Sequence, residues 1–175
     1  MKEASEMIKS SQDVQPPHIE DYTPLNNGMV MISNKHGENE REENIRLAEF
    51  INQKLGKKVY LLPRLDPKKA EEAVLRSAYI PKGVKDGKSP DFFIGGTLFE
   101  GKCMHSEYTA KKKSQHNKVL NHIKEAKEQA DNMIIEVPDF ISRRVITNTV
   151  NGYMNQSSKK RIIIVKHRGK CYVYK

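Results

Sequence analysis

The stretch Ser89-Pro90-Asp91-Phe92-Phe93-Ile94-Gly95-Gly96-Thr97-Leu98-Phe99-Glu100-Gly101-Lys102 constrains this chain more than any other. Two apolar runs flank a glycine pair, which predicts antiparallel strands joined by a tight turn that needs positive φ. Asp91 stands where the first strand begins. Glu100 and Lys102 are two apart on the second, so both side chains leave one face while Gly101 adds none to the other. The pattern can therefore bring two carboxylates and an ammonium to one end of a sheet. That is the equipment of a divalent-metal site with a catalytic lysine.

At 175 residues the chain is long enough for one domain with a core and some residues to spare. Residues 1–21 are polar, carry Ser10-Ser11 and Pro16-Pro17, and read as a flexible arm. Residues 22–175 read as a single domain. The net charge of +9 favours a polyanionic partner, because lysine and arginine near phosphates release counterions. Lysines cluster at Lys111-Lys112-Lys113 and at Lys159-Lys160-Arg161, although a charge run is more often a solvated face. Cys103 and Cys171 are too few for a disulfide framework or a four-ligand zinc site. The N-terminus has no apolar leader and no run is long enough to span a bilayer, so the expectation is a cytoplasmic protein with no membrane partner, or a fragment delivered by other machinery.

Periodicity supplies the other elements. Met29–Ser33 is a short strand after the turn signal Asn26-Asn27-Gly28, and His36 in the polar connection beyond it reads as a surface histidine. Glu38 to Gly56 is a helix with Ala48, Ile51 and Leu55 at helical spacing and a glycine stop. Projecting that stripe backward puts Glu43 and Asn44 near the inward face at the helix start. Lys58–Leu62 is a strand closed by Pro63, and Ala70–Tyr79 is a short helix. A second strong helix runs from Ser114 to Asp131 on Val119, Ile123, Ala126 and Ala130. Met133–Val137 is a strand of the buried kind, Pro138 opens a further helix through Tyr153, and the chain ends in a hairpin of 161–165 and 171–174. Strands mixed with crossover helices make the fold class α/β, with a mixed central sheet flanked by helices.

Hydrolysis of a phosphodiester needs an activated water, charge stabilisation at phosphorus and help for the leaving alkoxide. Mg²⁺ or Mn²⁺, or another divalent cation, supplies most of this on carboxylate ligands. Asp91 and Glu100 would hold metal, Lys102 would orient or deprotonate the water, and Glu43 would complete the shell. The plainer reading makes Glu100 and Lys102 an exposed same-face ion pair of little consequence to stability.

Pro90-Asp91 followed by Glu100-Gly101-Lys102 resembles the signature of the PD-(D/E)XK nuclease superfamily, and the succession helix, three strands, helix, strand resembles its αβββαβ restriction-endonuclease-like core. Asn44-Ile45-Arg46-Leu47-Ala48, Gly56 to Pro63 and Ala126 to Asp131 add a likeness to the CdiA-type C-terminal toxin nuclease domains of contact-dependent inhibition, many of which are tRNases. By that resemblance Asp91, Glu100 and Lys102 match the core motif. Glu43 matches the helix acid, with Glu40, Glu42 and Glu49 as neighbours that could be confused with it. Gln129 falls where relatives keep a polar residue on the second core helix. The resemblance implies a metal-dependent endonuclease acting on tRNA or DNA, and for a toxin an immunity protein as partner. A chain that begins with Met and an arm of its own departs from toxins that end very long polypeptides, and fits an excised domain, a free-standing relative or a mobile-element protein.

Two other classes compete. A metal-independent RNase of the barnase and RelE type would use His, Lys and Arg on the ribose 2′-OH, with His105, His116, His122 and His167 as candidates. A non-catalytic nucleic-acid-binding domain would keep the charge but has no need of the Asp91, Glu100 and Lys102 trio.

Overall fold

A computed structural model describes residues 14–175, and the first part of the expected arm lies outside them. The chain divides into two units, one ending at Phe99 and the other beginning at Glu100.

The first unit is a mixed sheet. Strand β1 (Tyr22–Leu25) is antiparallel to β2 (Val30–Ser33), and β2 is parallel to β3 (Val59–Leu61). Helix α1 (Arg41–Leu55) makes the crossover between β2 and β3 and packs on both. Its apolar stripe behaves as the spacing predicts: Leu47, Ala48, Ile51 and Leu55 are buried, and each large aliphatic side chain stabilises the unit by about 1.5–3 kcal/mol. Gly56 closes the helix in the left-handed conformation at φ 62°. Helix α2 (Ala70–Tyr79) separates β3 from its antiparallel neighbour β4 (Phe92–Ile94). Tyr22, Tyr60, Leu62 and Phe93 form the core on one face of this sheet.

β4 turns back on β5 (Thr97–Cys103) through Gly95 and Gly96, with φ of 53° and 78°. Both values lie in the region that costs glycine nothing, so the turn chemistry read from the sequence is the one the backbone uses. Phe92 pairs with Phe99 in this hairpin. The boundary between the units falls within β5, between Phe99 and Glu100.

The second unit carries α3 (Lys112–Gln129), β6 (Asn132–Glu136), α4 (Arg143–Asn155), β7 (Ile163–His167) and β8 (Lys170–Tyr174). β6 and β7 are parallel with α4 as their crossover, and β7 and β8 form a hairpin whose Arg168-Gly169 turn has positive φ at both positions. Val119, Ile123 and Ala126 of α3 and Ile146 and Val150 of α4 share one core with Met133, Ile135, Ile163 and Val165. Just past β5, the Met104 N–H donates to the Glu136 carbonyl at the end of β6.

The chain is thus α/β with mixed pairing and a C-terminal hairpin, as expected, and α2 is inserted in the helix, three strands, helix, strand succession. Two local differences have simple causes. Pro138 does not open α4: the helix starts after Ser142, whose Oγ accepts the Val145 N–H at 3.4 Å, a side-chain cap that proline cannot provide. Strand β1 escaped the sequence reading because it is short and contains Pro24, which a sheet tolerates at its edge.

Candidate functional site

In the first unit the site begins at the end of β3. The Leu62 N–H donates to the Asp91 carbonyl at 2.8 Å, which fixes the backbone of Asp91 where β4 begins. On its other side the Leu62 carbonyl lies 2.6 Å from His36 Nδ1. Asn44, on the first turns of α1, places Nδ2 at 3.3 Å from both His36 Nε2 and Asp91 Oδ1. One assignment satisfies all these contacts. His36 is neutral, donates from Nδ1 to Leu62 and accepts at Nε2 one amide hydrogen of Asn44, while the other goes to the Asp91 carboxylate. Burial pushes the His36 imidazole below its usual range, against the opposing pull of the Leu62 carbonyl and the Asp91 charge.

The surface reading of His36 is therefore corrected: it is buried, because the turn after β2 folds it against the end of β3. Its partner Asn44 was placed near the inward face of α1 by periodicity, but nothing in the sequence marked either residue as a neighbour of Asp91. Asp91 itself is only 7 % exposed. Glu43 is half-buried at the start of α1, between exposed Glu42 and buried Asn44.

In the second unit Glu100 and Lys102 do share a face. Lys102 Nζ is 3.2 Å from Glu100 Oε1, and the Glu100 side chain is almost wholly buried. The exposed-pair reading thus gives way to a sheltered ion pair, whose attraction is far less screened than at a surface. The alternate positions of β5 use the opposite face: Cys103 Sγ donates to Glu136 Oε2 at 3.4 Å, and Glu136 Oε1 meets Lys166 Nζ at 2.8 Å. Gln129 is half-buried as the last residue of α3. Among the described residues no three of His, Cys, Asp and Glu are grouped so as to hold a metal ion by themselves. Among the same residues no helix is long and apolar enough to cross a membrane.

Residues 88–171 match the contact-dependent growth inhibition CdiA C-terminal domain family. The matched span is just under half of the chain. It contains Asp91, Glu100, Lys102 and Gln129 together with α3 and α4, whereas Glu43, Asn44 and His36 precede it. No curated protein and no solved structure matches the chain.

The remaining histidines are set in the second unit. His122 and His167 are held below the ordinary imidazole value chiefly by burial. His116 Nδ1 lies 2.7 Å from Thr149 Oγ1, and that hydroxyl donates its own hydrogen to the Val145 carbonyl at 2.8 Å. Nδ1 must then carry a proton, and Nε2 is the nitrogen left to face other groups.

Proposed function

We propose that this chain is a metal-dependent endonuclease of the PD-(D/E)XK type, acting as a toxin domain on RNA, with tRNA as the preferred substrate and DNA as the alternative. The observation that carries the reading is the buried Glu100 carboxylate with Lys102 Nζ at 3.2 Å on one face of β5, within the span that matches the CdiA C-terminal family. The sequence adds Asp91 at the other strand of the same hairpin, and the Asn44 amide steadies that carboxylate.

The donor set fits a hard cation. Mg²⁺ takes one or two carboxylates and fills its remaining positions with water and substrate phosphate, so the Asp91 and Glu100 of the motif would be enough in number and kind, with Glu43 as a further candidate ligand. When bound, Mg²⁺ or Mn²⁺ would lower the pKa of a ligated water and neutralise charge on the phosphoryl oxygens. Lys102 would hold the water in line or steady the pentacoordinate phosphorus, its Nζ positioned by Glu100. Asn44 would keep Asp91 in one rotamer, and Gln129 would contact the substrate or water from α3. A delivered toxin requires an immunity protein in the producing cell, and the basic surface is where an acidic one would bind.

The test is incubation with tRNA and with plasmid DNA, in Mg²⁺ or Mn²⁺ and in EDTA, beside an Asp91→Ala variant. Cleavage that needs the cation and disappears in the variant is expected. Cleavage that persists in EDTA and in Asp91→Ala sinks the metal-nuclease reading, and binding without cleavage under any cation favours a non-catalytic domain.

A further inference from the structure

An open cleft of about 410 Å³ lies in the second unit where α3 and α4 begin, lined by Lys112, Lys113, His116, Arg144 and Asn148 with Ser142 and Val145 at its edge. Its charge is of one sign. Among the described residues no carboxylate pairs with Lys112, Lys113 or Arg144, and neither helix has an acidic residue in its first turn.

That arrangement runs against the ordinary economy of a helix. The first turn carries the positive end of the macrodipole and favours Asp and Glu, so each cation there is disfavoured relative to the opposite sign. Here lysines occupy the start of α3 and arginines the start of α4, and the N-cap of α3, Lys111, makes no side-chain cap bond. Folding thus tolerates unfavourable charge at the mouth of one cavity. An anion seated there would offset the repulsion and take up helix N–H groups that lack a partner.

The walls are fixed before any ligand arrives. The bond from His116 on α3 to Thr149 on α4 ties the two helices together, and the Ser142 cap anchors the start of α4. His116 Nε2 and the Asn148 amide add polar contacts to the cations, and the cleft falls in the volume range of small-ligand sites, roughly 300–1,000 Å³. A solvated lysine face would have neither the cavity nor the tied walls.

We propose that this cleft binds a sugar-phosphate unit of the nucleic-acid strand, a site of attachment separate in its residues from Asp91, Glu100 and Lys102. The proposal rests on the nuclease reading for the identity of the anion. Lys113 and Arg144 would contact phosphate oxygens, and Asn148 with His116 would hydrogen-bond the sugar or a second oxygen.

The experiment measures binding of a fluorescein-labelled tRNA by anisotropy, in EDTA, across a series of salt concentrations. It compares the wild-type protein, Lys113→Ala/Arg144→Ala, and a control of equal charge, Lys160→Ala/Lys170→Ala, with circular dichroism confirming that each is folded. The cleft pair should weaken binding at least tenfold and lower the slope of log K against log salt by about 2, one for each lost phosphate contact, and by clearly more than the control. In the cleavage assay it should raise KM and leave kcat unchanged. A cleft pair indistinguishable from the control overturns the proposal even if metal-dependent cleavage is intact. Loss of binding in the cleft pair, in a protein that cleaves nothing under any cation, supports the cleft and overturns the nuclease reading alone.

Discussion

Asn44 donates its side-chain amide to Asp91 Oδ1 at 3.3 Å, joining two residues 47 positions apart in the chain. The same amide group also meets His36, so a single asparagine settles the position of a carboxylate and the tautomer of an imidazole. The hold on this carboxylate is supplied by residues the motif does not contain.

Removing that support should injure both catalysis and folding. Asn44→Ala is expected to reduce metal-dependent cleavage by about 10–100-fold, the usual cost of losing a partner that orients a ligand. It should also cost about 1–3 kcal/mol of stability, because His36 Nε2 and Asp91 each lose a buried partner. Asp91→Asn should lower activity further than Asn44→Ala, since it removes the ligand charge and not merely its orientation. Steady-state cleavage rates and urea denaturation read the two effects separately, and equal loss in both variants would count against a ligand role for Asp91.

Glu100 and Lys102 allow activity and stability to be uncoupled. Lys102→Met leaves a buried carboxylate without its ammonium and should destabilise by up to about 3 kcal/mol. The double variant Glu100→Gln/Lys102→Met should recover most of that loss, because the buried charge is gone, while remaining inactive. A double-mutant cycle on denaturation midpoints measures the coupling, and recovery of cleavage in the double variant would show that neither group takes part in the chemistry.

His167 gives stability an acid-side slope. Its imidazole is buried, and burial, reinforced by the Arg168 charge, holds it below the ordinary value of 6.5. In the unfolded chain it therefore binds a proton at higher pH than in the folded one. The stability tied to the neutral folded form is fully present above about pH 6.5 and declines as pH falls from there through the lower folded value. His122, shifted in the same direction, adds to the decline. Thermal midpoints between pH 8 and pH 5 should fall on the acid side, and His167→Leu should flatten the slope whatever its effect on absolute stability. An unchanged slope in that variant would assign the decline elsewhere.

Ser142 caps α4 where it borders the cationic cleft. Ser142→Ala should lower stability by about 1 kcal/mol through loss of the bond to the Val145 N–H, with Ser142→Gly milder than alanine. Amide exchange at Val145 is the local readout and should quicken in both.

The residues legible in the sequence share one property: each depends on neighbours a few positions away. The Gly95-Gly96 turn, the common face of Glu100 and Lys102 and the stripe of α1 follow from backbone periods of 2 and 3.6, and the chain keeps all of them. The start of α4 was misplaced by a few residues because a proline and a serine both signal helix entry, and only the cap bond chose between them. The His36, Asn44 and Asp91 network was not legible, since it joins a turn, a helix and a strand whose approach is set by how α1 crosses from β2 to β3. The cationic cleft was hidden for the same reason: the lysines of 111–113 looked like a solvated run until α4 brought Arg144 and Asn148 beside them. By itself, then, the sequence determined the α/β class, the hairpin and the motif, because short-range geometry specifies these. Which buried polar groups steady Asp91, and where uncompensated positive charge gathers, only the tertiary structure decided, because both depend on packing that brings segments distant in the chain side by side.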